Sequence, residues 1–215
     1  MLIDLHCHTW PLSDDSFLSA DDLIDAAKAA GLDGVCLTEH DFFWEGERVQ
    51  ALAEKHNFLV IPGAELNTED GHMLVFGLER YVYGMHRIQE LAGLVEEAGG
   101  AIIAAHPYRR QLPFQVAGEA AYREALARAA CNPAYRYACA IEDLNGRGSP
   151  LENRFAAELR ARLGLPGCGG SDAHDRAGVG RCATSFQRPI SGLSDLIGEL
   201  RAGRFGTVDL RDGAK

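Results

Sequence analysis

The stretch Asp4-Leu5-His6-Cys7-His8-Thr9 follows an apolar lead-in, Met1-Leu2-Ile3, and reads as a β-strand ending in two histidines one residue apart. Alternate side chains on a strand share a face, so His6 and His8 point to one side and Cys7 to the other, into the packing behind the strand. Two imidazoles aimed at one spot call for a common partner.

Beyond this strand, short apolar runs at 2–8, 34–40, 58–66, 72–78, 101–106, 138–144, 165–171 and 182–186 alternate with longer amphipathic runs at 20–30, 46–56, 88–98, 120–130, 151–163 and 190–202. The period switches repeatedly from two to about 3.6, as in βα units. Ser19 ahead of Ala20-Asp21-Asp22 marks a helix start, and Gly31 and Gly99-Gly100 mark helix ends. An α/β fold follows, with residues 1–215 expected to form one domain. No repeat, low-complexity segment or linker interrupts it; the aperiodic loop at 107–118 is a candidate lid.

Composition narrows the setting. The apolar and charged fractions, 47% and 24%, are those of a soluble globular protein, and no run of about 18 apolar residues exists to span a bilayer. Asp4 and His6 interrupt the opening apolar run, which lacks the pattern of a signal peptide, so a cytoplasmic location is expected. Cys7, Cys36, Cys131, Cys139, Cys168 and Cys182 contain no CxxC pair and read as reduced thiols. A formal charge of −10 argues against a nucleic-acid surface, which needs a basic stripe to neutralise phosphates.

Six of the eight histidines gather at strand ends: His6, His8, His40 in "LTEHD", His72 in "GHMLVFG", His106 in "AIIAAHP" and His174 in "GGSDAHD". His56 and His86 lie apart from the set and read as structural. Glu65 ends the run "VIPGAEL", Asp172 ends the late strand, and Asp14-Asp15 lie in the loop after the first strand. In an α/β barrel all C-terminal strand ends open on one face, where these side chains could converge. Imidazole nitrogen with carboxylate oxygen is the donor set of divalent ions such as Zn, Mn or Fe, and Cys7 faces away, which argues against a cysteine-rich zinc site. Nine candidate ligands, His6, His8, Asp14, His40, Glu65, His72, His106, Asp172 and His174, exceed what one ion needs. Two or three ions sharing a carboxylate, with Glu65 as the bridge, account for the excess. The absence of a G-x-S-x-G elbow argues against a serine triad.

Taken in order, "DLHCHT", "LTEHD", "GAE", "AAHP" and "GGSDAH" resemble the motifs of the PHP (polymerase and histidinol phosphatase) superfamily, and the match spans nearly the whole chain. The resemblance implies a distorted seven-stranded (β/α) barrel of the PHP type with a di- or trinuclear metal centre that hydrolyses phosphoesters. It implies a first ion on His6, His8, Glu65 and Asp172, a second on Glu65, His72 and His106, and a third on Asp14, His40 and His174. Glu65, Asp172 and His174 would carry catalysis. Asp15 competes with Asp14, because "PLSDDS" is one residue longer than the usual pattern, and His72 stands in a segment of variable length. Three divalent ions against three carboxylates would leave a site charge of about +3, suited to a phosphate dianion.

Arg109 and Arg110, directly after "AAHPY", are the candidates for gripping that phosphate, with Arg147 and Arg176 behind them. Glu142 and Asn145 in "IEDLNGR" could orient ligands or substrate, and Glu39 and Asp41 could hold the ring of His40. The expected function is a metal-dependent phosphoesterase acting on a small phosphomonoester or nucleotide. A 3'-5' exonuclease on single-stranded DNA and a non-catalytic metal-binding barrel are the alternatives. The acidic chain lacks the basic, aromatic-interleaved track of the former.

Overall fold

The computed structural model describes residues 1–113 and 115–211. Its elements follow the alternation of the sequence: β1 (Leu2–Cys7), α1 (Ala20–Ala29), β2 (Gly34–Leu37), α2 (Gly46–His56), β3 (Leu59–Pro62), β4 (Ala64–Thr68), β5 (Gly71–Phe76), α3 (Ile88–Glu97), β6 (Ala101–Ala104), α4 (Gly118–Ala129), β7 (Ala140–Asn145), α5 (Pro150–Leu163), β8 (Gly167–Gly170), β9 (Cys182–Phe186), α6 (Leu193–Ala202) and β10 (Phe205–Asp209). Local chemistry sets the helix ends. The Ser19 side chain accepts from the Asp22 N–H at the start of α1. α5 carries a full capping box between Ser149 and Glu152, with Gly164 left-handed at its end.

The strands form two five-stranded sheets, ordered β10-β9-β1-β2-β3 and β4-β5-β6-β7-β8. The expected α/β fold is present, but among the described residues it has ten strands rather than seven, in two sheets that no continuous ladder closes into a ring. The sheets do meet at both flanks, through isolated bridges between Cys7 and Ala173 and between His40 and Glu65. The expected single strand at 58–66 divides at Gly63, where a Cβ would come within 2.7 Å of the Phe76 ring. There the chain passes from one sheet to the other. β10, which pairs antiparallel with β9, was not anticipated.

Three apolar clusters fill the layers. One joins both sheets from within, combining Ile3 and Leu5 with Leu74, Phe76 and Ile103, and with Leu196 and Leu200 of α6. A second lies between β4–β7 and α3, α4 and α5, and a third between β1–β3 and α1 and α2. Cys7 belongs to the third cluster although Leu5, two residues earlier, belongs to the first. The pairing of β1 with β2 shifts register between Asp4 and Cys7, the signature of a bulge that re-aims the strand. All six cysteines are free, and no helix among the described residues is long and apolar enough to cross a membrane.

Candidate metal centre

His6 is the last residue but one of β1 and His8 lies just past its end; Glu65 lies on β4, His72 on β5, His106 just past β6 and Asp172 just past β8. The β4–β5 hairpin pairs Asn67 with His72, which puts Glu65 and His72 on one face as diagonal neighbours. His106 and Asp172 take positive φ angles of 24° and 53°, a backbone that non-glycine residues hold only under constraint. For Asp172 the constraint is visible: its N–H donates to the His6 carbonyl at 2.8 Å, across the seam between the sheets.

Glu65 is the centre of the arrangement. Its Oε2 lies 3.3 Å from His6 Nε2, 3.3 Å from His8 Nε2 and 3.0 Å from His40 Nδ1. Its Oε1 lies 2.8 Å from His72 Nδ1 and 2.7 Å from His106 Nε2. Asp172 Oδ1 stands 3.7 Å and 3.5 Å from the same nitrogens of His6 and His8. Each of the two Glu65 oxygens thus faces its own group of histidines, the geometry expected of a bridging carboxylate.

His6 Nε2, His8 Nε2, Glu65 Oε2 and Asp172 Oδ1 are all buried and none makes a well-formed hydrogen bond, although the imidazole and carboxylate atoms stand 3.3–3.7 Å apart and His40 Nδ1 lies 3.0 Å from Glu65 Oε2. An unpaired buried polar atom costs about 1–3 kcal/mol, so four at one point are hard to explain as packing. A divalent cation among them would satisfy all four, and the donor types suit it. The residues fit. His6, His8 and Asp172 offer ligand atoms within 4.8 Å of one another, as do Glu65, His72 and His106, and His8, His40 and His174.

The charges agree. Burial raises the Glu65 and Asp172 carboxyls, but the surrounding cations outweigh it together, His6, His106 and His40 at Glu65 and His6, His8, His106 and Arg109 at Asp172, and both sit well below the usual carboxylate range. Burial pulls His6 down, yet Glu142, Asp172 and Glu65 together hold it well above the usual histidine range. His106 and His174 are lowered, chiefly by burial. The buried carboxylates demand positive charge among the imidazoles, which protons or divalent ions can supply.

A supporting layer orients the ligands. Glu142 Oε1 is 2.9 Å from His6 Nδ1, and its Oε2 accepts from the His106 N–H at 2.8 Å and from Asn145 Nδ2 at 3.0 Å. Arg109 Nη2 donates to Asp172 Oδ2 at 2.6 Å, and Arg147 Nη1 lies 2.9 Å from His174 Nδ1. Both guanidiniums are partly exposed at the rim.

Other expectations land differently. Asp15, not Asp14, reaches the third group, with Oδ2 3.0 Å from His174 Nε2 and 3.5 Å from His40 Nε2, while Asp14 is exposed. Arg110 has a left-handed φ of 66° and donates to the Thr68 carbonyl and Asn67 Oδ1, away from the carboxylates. Arg176 faces Asp22 on α1. Asp41 accepts from the Asn67 N–H, and Glu39 turns to Thr9, Ser13 and Trp44 rather than to the His40 ring. Sequence reasoning missed Ser13, whose Oγ is 3.2 Å from His8 Nδ1; nothing in the loop's composition marks it.

Residues 4–140 match the PHP domain family and residues 150–205 the PHP-associated family. An uncharacterized protein of Methanocaldococcus jannaschii is 28% identical over 117 residues, covering 50% of this chain and 68% of its own. The crystal structure of PsfC from Pseudomonas syringae PB-5123 superposes with a TM-score of 0.64 at 24% identity, covering 97% of this chain and 91% of its own. A two-domain protein of Bacteroides vulgatus, containing a predicted PHP-like metal-dependent phosphoesterase, gives 0.65 at 22% identity over 97% of this chain and 64% of its own.

Proposed function

The chain belongs to the PHP domain family, and from that premise we propose that it hydrolyses a phosphoester, a small phosphomonoester or nucleotide, at a centre of two or three divalent ions. The observation that carries the proposal is the convergence of four buried atoms without a well-formed hydrogen bond, His6 Nε2, His8 Nε2, Glu65 Oε2 and Asp172 Oδ1. These residues would hold the first ion; Glu65, His72 and His106 the second; and Asp15, His40 and His174 the third. Zn, Mn and Fe all suit this donor set. Bound there, such ions supply an acidified water as nucleophile and a Lewis acid for the phosphoryl oxygens.

The chain's own residues do the rest. Glu65 ties two ligand groups to one rigid strand, which fixes their separation. Asp172, clamped by Arg109 and by the β1 backbone, is held in one orientation. Arg109 approaches Asp172 Oδ2 and Arg147 approaches Oδ1, and part of each guanidinium stays exposed, where charge-assisted bonds to a phosphate can form. His174 closes the outer edge beside Asp15. Glu65 and His106 come from the first matched segment, and Asp172 and His174 from the second, so residues 1–215 act as one catalytic unit in this reading.

The test is elemental analysis of the purified protein together with a phosphate-release panel of sugar phosphates, nucleotides, histidinol phosphate and short single-stranded DNA. Two or three bound ions and release from a monoester are expected. Protein that holds its ions and turns over nothing in the panel would refute hydrolysis, and selective degradation of DNA would move the assignment to an exonuclease.

A further inference from the structure

We propose that Glu39 and Ser13 form a relay that locks His8 in one tautomer, with the proton on Nδ1 and the lone pair of Nε2 aimed into the metal centre. The proposal rests on the metal-binding reading above and deepens it. It follows from counting protons. A serine hydroxyl has one proton to give and two lone pairs to accept with. The Ser13 hydroxyl donates to Glu39 Oε2 at 2.6 Å. That leaves Oγ as an acceptor only, and two groups approach it: the His40 N–H at 3.3 Å and His8 Nδ1 at 3.2 Å. His8 Nδ1 must therefore be the donor, which leaves Nε2 of the neutral ring unprotonated.

Glu39 is fixed as the acceptor by the same count. Its Oε2 receives the Thr9 N–H at 2.8 Å and the Ser13 hydroxyl, and its Oε1 receives Trp44 Nε1–H at 2.9 Å and the Thr9 hydroxyl. Four donors occupy the four acceptor positions of one carboxylate. Glu39, Thr9, Ser13 and His8 are all buried, so water does not compete for these bonds. The segment after β1 thus folds back onto the residue after β2, and the bond between them reaches the metal ligand one shell inward.

The relay is needed because the centre itself pulls the other way. His8 Nε2 faces Glu65 Oε2 at 3.3 Å and Asp172 Oδ1 at 3.5 Å, two carboxylate oxygens that would draw an imidazole proton onto Nε2. A proton there blocks the lone pair that an ion requires. Ser13, backed by Glu39, holds it on the far nitrogen. Glu142 stands in the corresponding place behind His6, but there a carboxylate touches the ring directly, whereas His8 depends on a serine whose direction is set by a second residue.

The test reads the tautomer and the affinity separately. Imidazole ¹⁵N shifts of metal-stripped protein, at a pH where His8 is neutral, should show Nδ1–H in the wild type and a shift toward Nε2–H in Ser13→Ala. Zinc affinity, measured by competition with a chelator, should fall by about 10–100-fold in Ser13→Ala and recover in Ser13→Thr, which keeps the hydroxyl. A neutral His8 carrying its proton on Nε2 in the wild type would overturn the relay, as would a folded Ser13→Ala that binds zinc like the wild type. If Ser13→Ala does not fold, the wild-type spectrum alone decides. Lack of phosphatase turnover would refute hydrolysis without touching these readouts. Failure of the wild type to bind zinc would refute the metal reading, while the spectrum would still report the tautomer.

Discussion

Glu65 shows how much one buried side chain can organise. Its two oxygens face different histidine groups, so Glu65→Gln removes a shared charge while keeping the shape. Bound metal should drop by at least one ion per chain and hydrolysis by about 100-fold or more, read by elemental analysis and phosphate release. Asp143 offers a check remote from the chemistry. Burial pushes its carboxyl up to about 6 from an ordinary 3.8, with Arg160 Nε at 2.7 Å only partly offsetting the rise. The folded state therefore holds this proton more tightly than the unfolded chain, and the associated stability is lost as pH climbs from about 4 through 6. Asp143→Asn should flatten that slope in denaturant titrations across the range; an unchanged slope would assign it to other groups. Most candidate ligands were legible because strand ends are fixed points: His6, His8, His106 and Asp172 needed only the βα alternation to place them, whereas Glu65 lies near the start of β4 rather than at the end of one long strand. Asp15 against Asp14, the aim of Arg110 and the role of Ser13 were not, because each depends on the path of a loop rather than on periodicity.

The elements that matter most are β1 and β8, whose seam brings the first and last ligands together. A Cβ at Gly170 would lie 2.5 Å from His6 Cβ and 2.7 Å from Glu142 Oε1, so only glycine lets β8 pass this close. Gly170→Ala should cost about 1–3 kcal/mol in a denaturant melt, and should weaken metal binding as well by pushing Glu142 off His6. Loss of stability with unchanged metal affinity would show that the seam supports the fold but not the site. Element types were readable along the chain because apolar spacing and capping residues agree, as at Ser19. The division of the 58–66 run was not, since it depends on Phe76 occupying the space beside Gly63. The bulge in β1 was equally hidden: alternation correctly set Cys7 behind the strand, but it gave no sign that Leu5 would face inward with the histidines.

At the scale of the molecule, two sheets share an interior that is apolar at one end and charged at the other. α6 packs against the apolar end and the histidine and carboxylate cluster fills the charged one. Ions that bind only the folded chain add stability by mass action, about 2.7 kcal/mol at a hundredfold excess over the dissociation constant. Chelation should therefore lower the melting temperature by roughly 5–10 °C, and Glu65→Gln should show a much smaller shift. The net charge of −10 would not oppose a phosphate substrate, because ions held at this cluster, together with Arg109 and Arg147 at its rim, would reverse the sign locally. The central claim is that this cluster, once metallated, drives phosphoester hydrolysis. It is tested most directly by titrating chelator-stripped protein with Mn or Zn while following phosphate release from a monoester that the intact protein turns over. Activity should be absent at the start, rise with metal occupancy and saturate at two or three ions per chain. Full turnover by the stripped protein would contradict the account.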